Sequence, residues 1–459
     1  MTQVALAERL EISASYLNLI EHGRRPLTAP LLIKLAGVLD LDLRSFAPEG
    51  DAQVVEDLME AFGDGVFDGH DLTASDVKDF AAQSPRIARA VLALYEGYRD
   101  SAASVRALAD RVSSDQEVPG LASWRLPSEE VSDLIQRNTN YFPELEAAAE
   151  ALWVEAELDL DDLYGGLVRH LKRRLGVRVE IARQGDETRA LRRYDPDRRR
   201  LALSELLPTA GRNFQLAHQI GLLAHSEMLD RIAADAHLSA DASRALCRVA
   251  MANYFAGAVL MPYDKVLEAA QVLRYDVENI ESRFQASFEQ VCHRLTTLRR
   301  PGREGIPFHF LKVDIAGNIS KRFSASGIAF ARFSGACPRW NLVAAFLTPG
   351  KIRSQLSIMP DGSTYFCIAR TVLKGAGGFR AQHSVHAITL GCDVQQARKM
   401  IYADGVALNN PDAAVPIGVT CRLCERTDCE QRVFPAIVQP LDIRENVRGF
   451  SFYAPPPED

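Results

Sequence analysis

The most constraining feature of this chain is a change of hydrophobic period at Pro301. Before it, apolar residues recur at helical spacing. After it, HFLKVDI, GIAFARF, NLVAAFL and TYFCIART alternate between Gly, Pro, Asn and Ser breaks and read as strands. A stripe at period 3.6 and an alternation at period 2 bury different sets of side chains, so the two parts need different architectures. At 459 residues the chain is long enough for two to four domains. We expect boundaries at residues 1–48, 49–158, 159–300 and 301–459. The second stretch reads as helices, broken near Ser113–Pro127. The third is mainly helical, with a hairpin of Val177–Ile181 and Leu201–Leu203 around an arginine-rich turn.

Composition narrows the class. Apolar residues make up 47% and charged residues 25%, the balance of a globular protein in water. No run of eighteen apolar residues occurs, and no basic segment leads into an apolar one at the N-terminus, so neither a membrane partner nor a secretory signal is expected. All eight cysteines lie at or beyond Cys247, unlike the dense framework of a secreted disulfide protein. Reduced thiols and a cytoplasmic location follow. The net charge of −7 gives no general affinity for nucleic acid, so any DNA contact must come from a local face.

Such a face is signalled at residues 1–46. Val4, Leu6 and Leu10 mark a first helix, and Ser13 is placed to cap a second, whose apolar face is Tyr16, Leu17, Leu19 and Ile20. Gly23 and Pro26 end it, and Ala29 to Leu39 form a third. Two helices about a tight turn, the second rich in polar groups, make the helix-turn-helix layout. Ser13, Ser15, Tyr16 and Asn18 are the candidates for base edges, and Gln3, Arg24 and Arg25 for phosphates. A plain helical hairpin would show the same periodicity. TQVALAERLEISASYLNLIEHGRRPL closely resembles the helix-turn-helix of the XRE (Cro/cI-like) repressors, which implies DNA as partner. That family has one more helix before this point, so we expect either a start upstream of Met1 or a domain without it. Five Lys/Arg against five Asp/Glu in residues 1–46 fit the loss of an arginine-rich helix.

FQLAHQIGLLAH (Phe214–His225) stands where a zinc-protease helix would be sought. That chemistry needs histidines at i and i+4 with a glutamate between them. Here His218 is followed by Gln219, which cannot act as a base, and by Leu222 in place of the second ligand. His225 lies about 10 Å further along the axis, too far to share one zinc. The segment and ANYFAGAVLMPYDKV (Ala252–Val266) nevertheless look like the ImmA/IrrE metallopeptidase-like domain. The expectation is a degenerate domain, not an enzyme, whose former cleft could take an effector.

Cys421-x2-Cys424-x4-Cys429 is compact, and Cys392 lies upstream after a glycine. These four thiolates form a candidate ligand set for tetrahedral Zn²⁺ or a [4Fe–4S] cluster, and spacing leaves the choice open. Arg422, Arg426 and Arg432 would offset their charge. Cys247, Cys292, Cys337 and Cys367 read as core residues.

GNISKR, CPRWN and CRLCERTDC, with the order of domains, resemble the short-chain fatty acyl regulators of propionate and acyl-CoA metabolism. The resemblance implies a multidomain fold, mainly α in its first two thirds: helix-turn-helix, helical linker, degenerate zincin-like α+β domain and C-terminal α+β sensor domain. It also implies a DNA-binding regulator that responds to a short-chain acyl-CoA such as propionyl-CoA, with a [4Fe–4S] cluster on the cysteines. Coenzyme A carries phosphates and a narrow acyl arm. Lys321, Arg322, the run Arg192, Arg193 and Arg198–Arg200, and Tyr254 are its candidate contacts, although the arginine run reads first as a solvated turn. A homodimer or higher homo-oligomer through the helical linker would suit paired half-sites. The competing readings are a redox or iron sensor without acyl-CoA, and a metallopeptidase acting on a repressor, against which Gln219 and Leu222 speak.

Overall fold

The computed structural model describes residues 49–67, 72–112, 127–183, 190–330, 336–375 and 383–421 continuously. It also describes 6, 7, 9, 10, 12–21, 31, 34, 35 and 38 near the N-terminus, and 424–426 and 429–434 near the C-terminus. The break expected near Ser113–Pro127 lies outside them apart from Pro127.

At the N-terminus, α1 (Ala14–Glu21) opens on Ser13, whose Oγ accepts the Tyr16 N–H at 3.1 Å as a cap should. Leu17 is buried with Ala7, Leu10 and Leu31 in a small separate core. Further along the described residues come α2 (Glu49–Phe62), α3 (Ala74–Gln83) and α4 (Pro85–Val112). A reciprocal capping box between Thr73 and Asp76 starts α3.

The next body holds α5 (Pro127–Arg137), α6 (Pro143–Glu155), α7 (Leu163–Arg174), a small sheet, α8 (Thr209–Ala224), α9 (Ser226–Ala233), α10 (Asp241–Leu260), α11 (Tyr263–Val272), α12 (Val277–Phe284) and α13 (Phe288–Thr296). The centre is α10, which buries Cys247, Met251, Phe255 and Val259. Gly221 lets α8 come close, because a Cβ there would stand 2.9 Å from the Phe255 ring. The small sheet has the order β1 (Arg178–Ala182), β3 (Arg200–Ser204), β2 (Arg192–Asp195). The expected hairpin is therefore corrected. The arginine-rich turn joins β2 to β3, whereas β1 lies parallel to β3, with Val179 opposite Leu201.

A six-stranded sheet completes the chain in the order β5 (Ile319–Ser324), β4 (His309–Asp314), β8 (Ser384–Asp393), β7 (Thr364–Lys374), β6 (Arg353–Ile358), β9 (Val415–Pro416). Only the β6–β9 pairing is parallel. Alternation along its strands sends side chains to two different cores. Phe310, Phe323, Phe366, Ile368, Ile388, Leu390 and Cys392 pack against the α5–α13 body. Leu311, Val313, Cys367, Ala369 and Ala387 pack on the other side against α2, α3 and α4, with Cys337, Trp340, Ile417 and Val419. Burying a side chain such as Phe310 or Phe366 contributes about 1.5–3 kcal/mol.

Two expectations change here. Residues 49–158 are not one linker: α2–α4 cover one sheet face, whereas Val131, Leu134, Leu145 and Leu152 of α5 and α6 belong to the core on the opposite face. NLVAAFL is not a strand but the short helix α14 (Asn341–Ala344) and a 3₁₀ turn. Asn341 pins it, donating its amide to the carbonyls of Arg353 and Cys367 at 3.0 Å each. The described part of GIAFARF, Gly327–Phe330, makes no strand pairing either. Another short helix, α15 (Val394–Ala397), follows β8.

Candidate functional site

In the DNA-reading element, Ser13 and Asn18 are exposed and Tyr16 is half-buried on α1. Ser15 lies on the same helix, and nothing is described of its side chain. Gln3, Arg24 and Arg25 lie outside the described residues. The Ser13 side chain serves the helix cap, and Asn18 is exposed on the same helix.

His218 on α8 is buried and wedged between the Val249 carbonyl and the guanidinium of Arg192, whose Nη1 lies against its Nδ1. Burial first, and Arg192 second, push this imidazole down to about 4, so it is neutral near pH 7. A cation thus stands where the degenerate helix would have offered a metal ligand. Gln219 is buried, and His225 ends α8 with its ring 4.9 Å from Phe255.

The residues expected to hold coenzyme A do not converge. Arg192 is committed to His218, and its neighbour Arg193 is exposed on β2. The run Arg198–Arg200 is exposed at the β2–β3 turn, with Arg198 near Asp195 and Arg200 near Glu180. Tyr254 is tied into the helical body. Its hydroxyl donates to Glu146 Oε1 at 2.7 Å and accepts the Phe142 N–H at 3.3 Å. The same carboxylate is gripped by Arg294 at 2.5 and 2.8 Å, with both side chains only 1% exposed. Arg322 is likewise engaged, to Glu129 of α5 at 2.6 Å. Lys321 donates to His293 Nε2 at 3.4 Å. Each was expected to be free for phosphate, but the docking of α5 and α13 onto the sheet supplies partners that the sequence alone does not reveal.

Where the α10–α13 region meets the C-terminal part, two clefts open. One of about 310 Å³ is lined by Gln271, Arg274, Tyr275, Glu304, Ile306 and Lys399. The other, about 610 Å³, lies along Arg398 and residues 403–410. Between them Arg274 clamps Asp404 through two bonds of 2.8 and 2.6 Å.

The cysteines regroup. Cys392 is fully buried on the β8 face that meets the helical body, with its Sγ 3.7 Å from Met400 Sδ, and burial raises its thiol well above the ordinary range. The loop carrying Cys421, Cys424 and Cys429 follows Ile417 and Val419, which belong to the opposite core, so Cys392 is turned away from it. The thiol that shares this environment is Cys337, which the sequence reading placed in the core. Burial raises it, and Cys421 and Cys424 are close enough to raise it further. Cys424 is raised by burial and in turn feels Cys429. Cys337 accepts the backbone N–H groups of Arg339 and Gly418, and Cys424 that of Arg426. Gly418 is required there, since a Cβ would fall 2.8 Å from Cys424 Sγ. Arg432 is buried and donates to the carbonyls of Cys421 and Cys424 at 2.6 Å each, and Arg426 donates to Ile358 at 2.8 Å. Arg422 lies outside the described residues. Among the described residues no three His, Cys, Asp or Glu side chains are drawn together at metal-holding distance. The donor set nonetheless suits a thiolate-bound group: N–H donors aimed at sulfur and nearby cations are what four thiolates require. The available signal for Cys337 was Pro338 after it, which favours a loop over a core strand.

Comparison with known proteins agrees with this layout. Residues 1–46 match the helix-turn-helix family, residues 172–296 the IrrE N-terminal-like domain, and residues 297–453 the short-chain fatty acyl coenzyme A regulator C-terminal domain. The chain is 39% identical over 448 residues to the HTH-type transcriptional regulator PrpR of Mycobacterium tuberculosis, covering 97% of this chain and 91% of that one. It is 38% identical over 454 residues to RamB of the same species, at 98% and 95% coverage. It is 37% identical over 453 residues to a propionyl-CoA carboxylase regulator of Cereibacter sphaeroides, at 99% and 95%. A solved structure of a Mycobacterium tuberculosis transcriptional regulator superposes with a TM-score of 0.69 at 40% identity, covering 71% of this chain and 99% of that one. Among the described residues no single helix is long and apolar enough to cross a membrane. The chain belongs to the family of helix-turn-helix transcriptional regulators that join an IrrE-like domain to a short-chain fatty acyl coenzyme A regulator C-terminal domain.

Proposed function

We propose that this protein is a cytoplasmic, non-enzymatic regulator whose DNA binding responds to a short-chain acyl-CoA, propionyl-CoA or one similar. The observation that carries this reading is the placement of the six-stranded sheet. One face supports the IrrE-like body and its seam clefts, and the other supports α2–α4, which lead from the helix-turn-helix. A ligand held at the seam by Arg274 and Lys399 would bear on the sheet from one side, while the DNA-binding element is attached on the other. An effector works only through its differential affinity for two such arrangements. Arg192 against His218 leaves the old peptidase helix without a metal site or a base, which supports a binding role over catalysis. Ile87, Leu94 and Tyr98 stand exposed along one side of α4, spaced seven and four residues apart, and offer a face for a homodimer.

The cysteine loop completes the proposal. Cys337, Cys421, Cys424 and Cys429 would hold a [4Fe–4S] cluster, in place of the set with Cys392. A bound cluster would supply a structural cross-link and an electron-accepting centre. The protein supplies sulfur ligands, N–H groups directed at Cys337 and Cys424, and the cations Arg426 and Arg432. Zinc on the same four thiolates is the alternative. Because the loop shares its core with α2–α4, a redox or iron sensor without acyl-CoA is the second reading. Calorimetric titration with propionyl-CoA, acetyl-CoA and free CoA tests the first. Submillimolar binding of an acyl-CoA supports it, and no binding of any CoA species overturns it in favour of the sensor. Iron and sulfide near four per chain in anaerobically purified protein support the cluster, and one zinc without visible absorbance overturns it.

A further inference from the structure

At one end of the sheet the charge balance is unusual. On the face that meets the helical body, β4 runs from Phe310 to Lys312, and β5 from Phe323 to Lys321. Lys312 and Lys321 are directly opposite each other in the ladder, a like-charge pairing that is ordinarily destabilising. Lys374, at the end of β7, is a third cation in the same place. One carboxylate pairs with two of them and reaches the third, Lys321, only through space. Glu289 of α13 receives Lys312 at 2.9 Å and Lys374 at 2.7 Å. Lys312 is no surface lysine, with its side chain only 7% exposed. Burial and the nearby Lys374 bring its ammonium down to about 8.

The other groups facing this point are two imidazoles and one further carboxylate, Asp314, which lies within electrostatic reach of His386. His293, one turn beyond Glu289, stacks on Phe310 at 4.2 Å and is held neutral, at about 3, by burial and by Lys321. His386 on β8 lies within electrostatic reach of Lys312, Lys374 and Glu289, and its buried Nδ1 has no hydrogen-bond partner among the described residues. Asp314 is occupied by its own turn, accepting from the N–H groups of Ala316 and Asn318 and from the Asn318 side-chain amide. Three ammonium groups therefore stand around Glu289, two of them paired with it, against two carboxylates in all and beside two imidazoles, at the junction of α13 with the sheet.

We propose that Lys312, Lys321 and Lys374 form a binding site for a phosphoryl-bearing ligand, with Glu289 as the internal anion that holds the lysines together until the ligand arrives. A doubly or triply charged phosphoryl group fits because it would restore the missing negative charge and accept from several ammonium groups at once. The proposal does not depend on the acyl-CoA reading, since coenzyme A and a free phosphate ester or anhydride present the same chemistry. The test is calorimetry on the whole protein with pyrophosphate, then with free CoA and propionyl-CoA. Wild type should bind pyrophosphate. The paired change Lys321→Ala with Lys374→Ala, which leaves the buried Lys312–Glu289 pair in place, should weaken that binding about tenfold or more. Glu289→Gln removes the competing carboxylate and should tighten it, whereas a purely structural ion pair predicts lost stability and no gain in affinity. If Glu289→Gln does not fold, the paired lysine variant still decides. Loss of CoA and pyrophosphate binding together identifies CoA as a source of the phosphoryl group; loss of pyrophosphate binding alone identifies a separate anion. Failure of wild type to bind pyrophosphate at millimolar concentration, or binding untouched by the paired lysine change, overturns the site.

Discussion

Arg294→Met is the sharpest probe of how the helical body is held together. Arg294 on α13 donates two bonds to Glu146 on α6, one to the Met261 carbonyl and one to Thr297 Oγ1, and the carboxylate also takes the Tyr254 hydroxyl. Both charged side chains are 1% exposed, so water cannot take over when one is removed. The variant strands a carboxylate with one remaining donor, the Tyr254 hydroxyl, and should cost about 3–5 kcal/mol. Adding Glu146→Leu removes the stranded charge and should recover most of that loss, because a buried pair roughly balances its own desolvation. Urea unfolding of the two single variants and the double variant, followed by far-UV circular dichroism on the main transition, gives the coupling energy. A loss below about 1 kcal/mol for Arg294→Met, or a double variant as unstable as the sum of the singles, would refute the argument.

Other predictions follow from the same reasoning. His309 and His218 are buried and held down to about 3 and 4, chiefly by burial. Their folded values lie below their unfolded ones, so the stability they contribute is complete above about pH 6.5 and is lost as pH falls toward 4. Each should add a slope of up to about 1.4 kcal/mol per pH unit in that window, and a flat stability profile there would contradict it. Gln219→Glu with Leu222→His should still bind no zinc until Arg192→Ala clears the guanidinium from His218; stoichiometric zinc in the two-site variant, measured by elemental analysis, would refute this. Cys337→Ala should lose most of the iron and visible absorbance, whereas Cys392→Ala should keep both and lose only about 1–2 kcal/mol of stability to a small cavity beside Met400. The opposite pattern would restore Cys392 to the ligand set.

The parts that sequence revealed are those decided locally. Ser13 as cap and Leu17 as core are fixed within one turn of helix, and the change of period at Pro301 marks where the helical body gives way to the sheet. What it hid depends on which face meets which neighbour. Cys392 looked like a ligand because it follows a glycine, but its parity on β8, shared with Ile388 and Leu390, points it into the helical body. That parity has meaning only once β8 is known to lie between β4 and β7. Lys321 and Arg322 looked free because α13 and α5, which hold their partners His293 and Glu129, come from earlier in the chain. NLVAAFL is apolar without alternation, a pattern that suits a short helix as well as a strand, and Asn341 settles it by bonding across to β6 and β7.

The central claim is that ligand at the seam changes DNA affinity through the shared sheet. Fluorescence anisotropy measures it most directly, using labelled genomic fragments that the protein itself selects, with and without saturating propionyl-CoA. The account predicts a shift in Kd of about tenfold or more, a coupling of roughly 1.4 kcal/mol, and a smaller shift with free CoA. Equal Kd values with and without acyl-CoA, on DNA that the protein binds well and with the ligand shown to be bound, would contradict it.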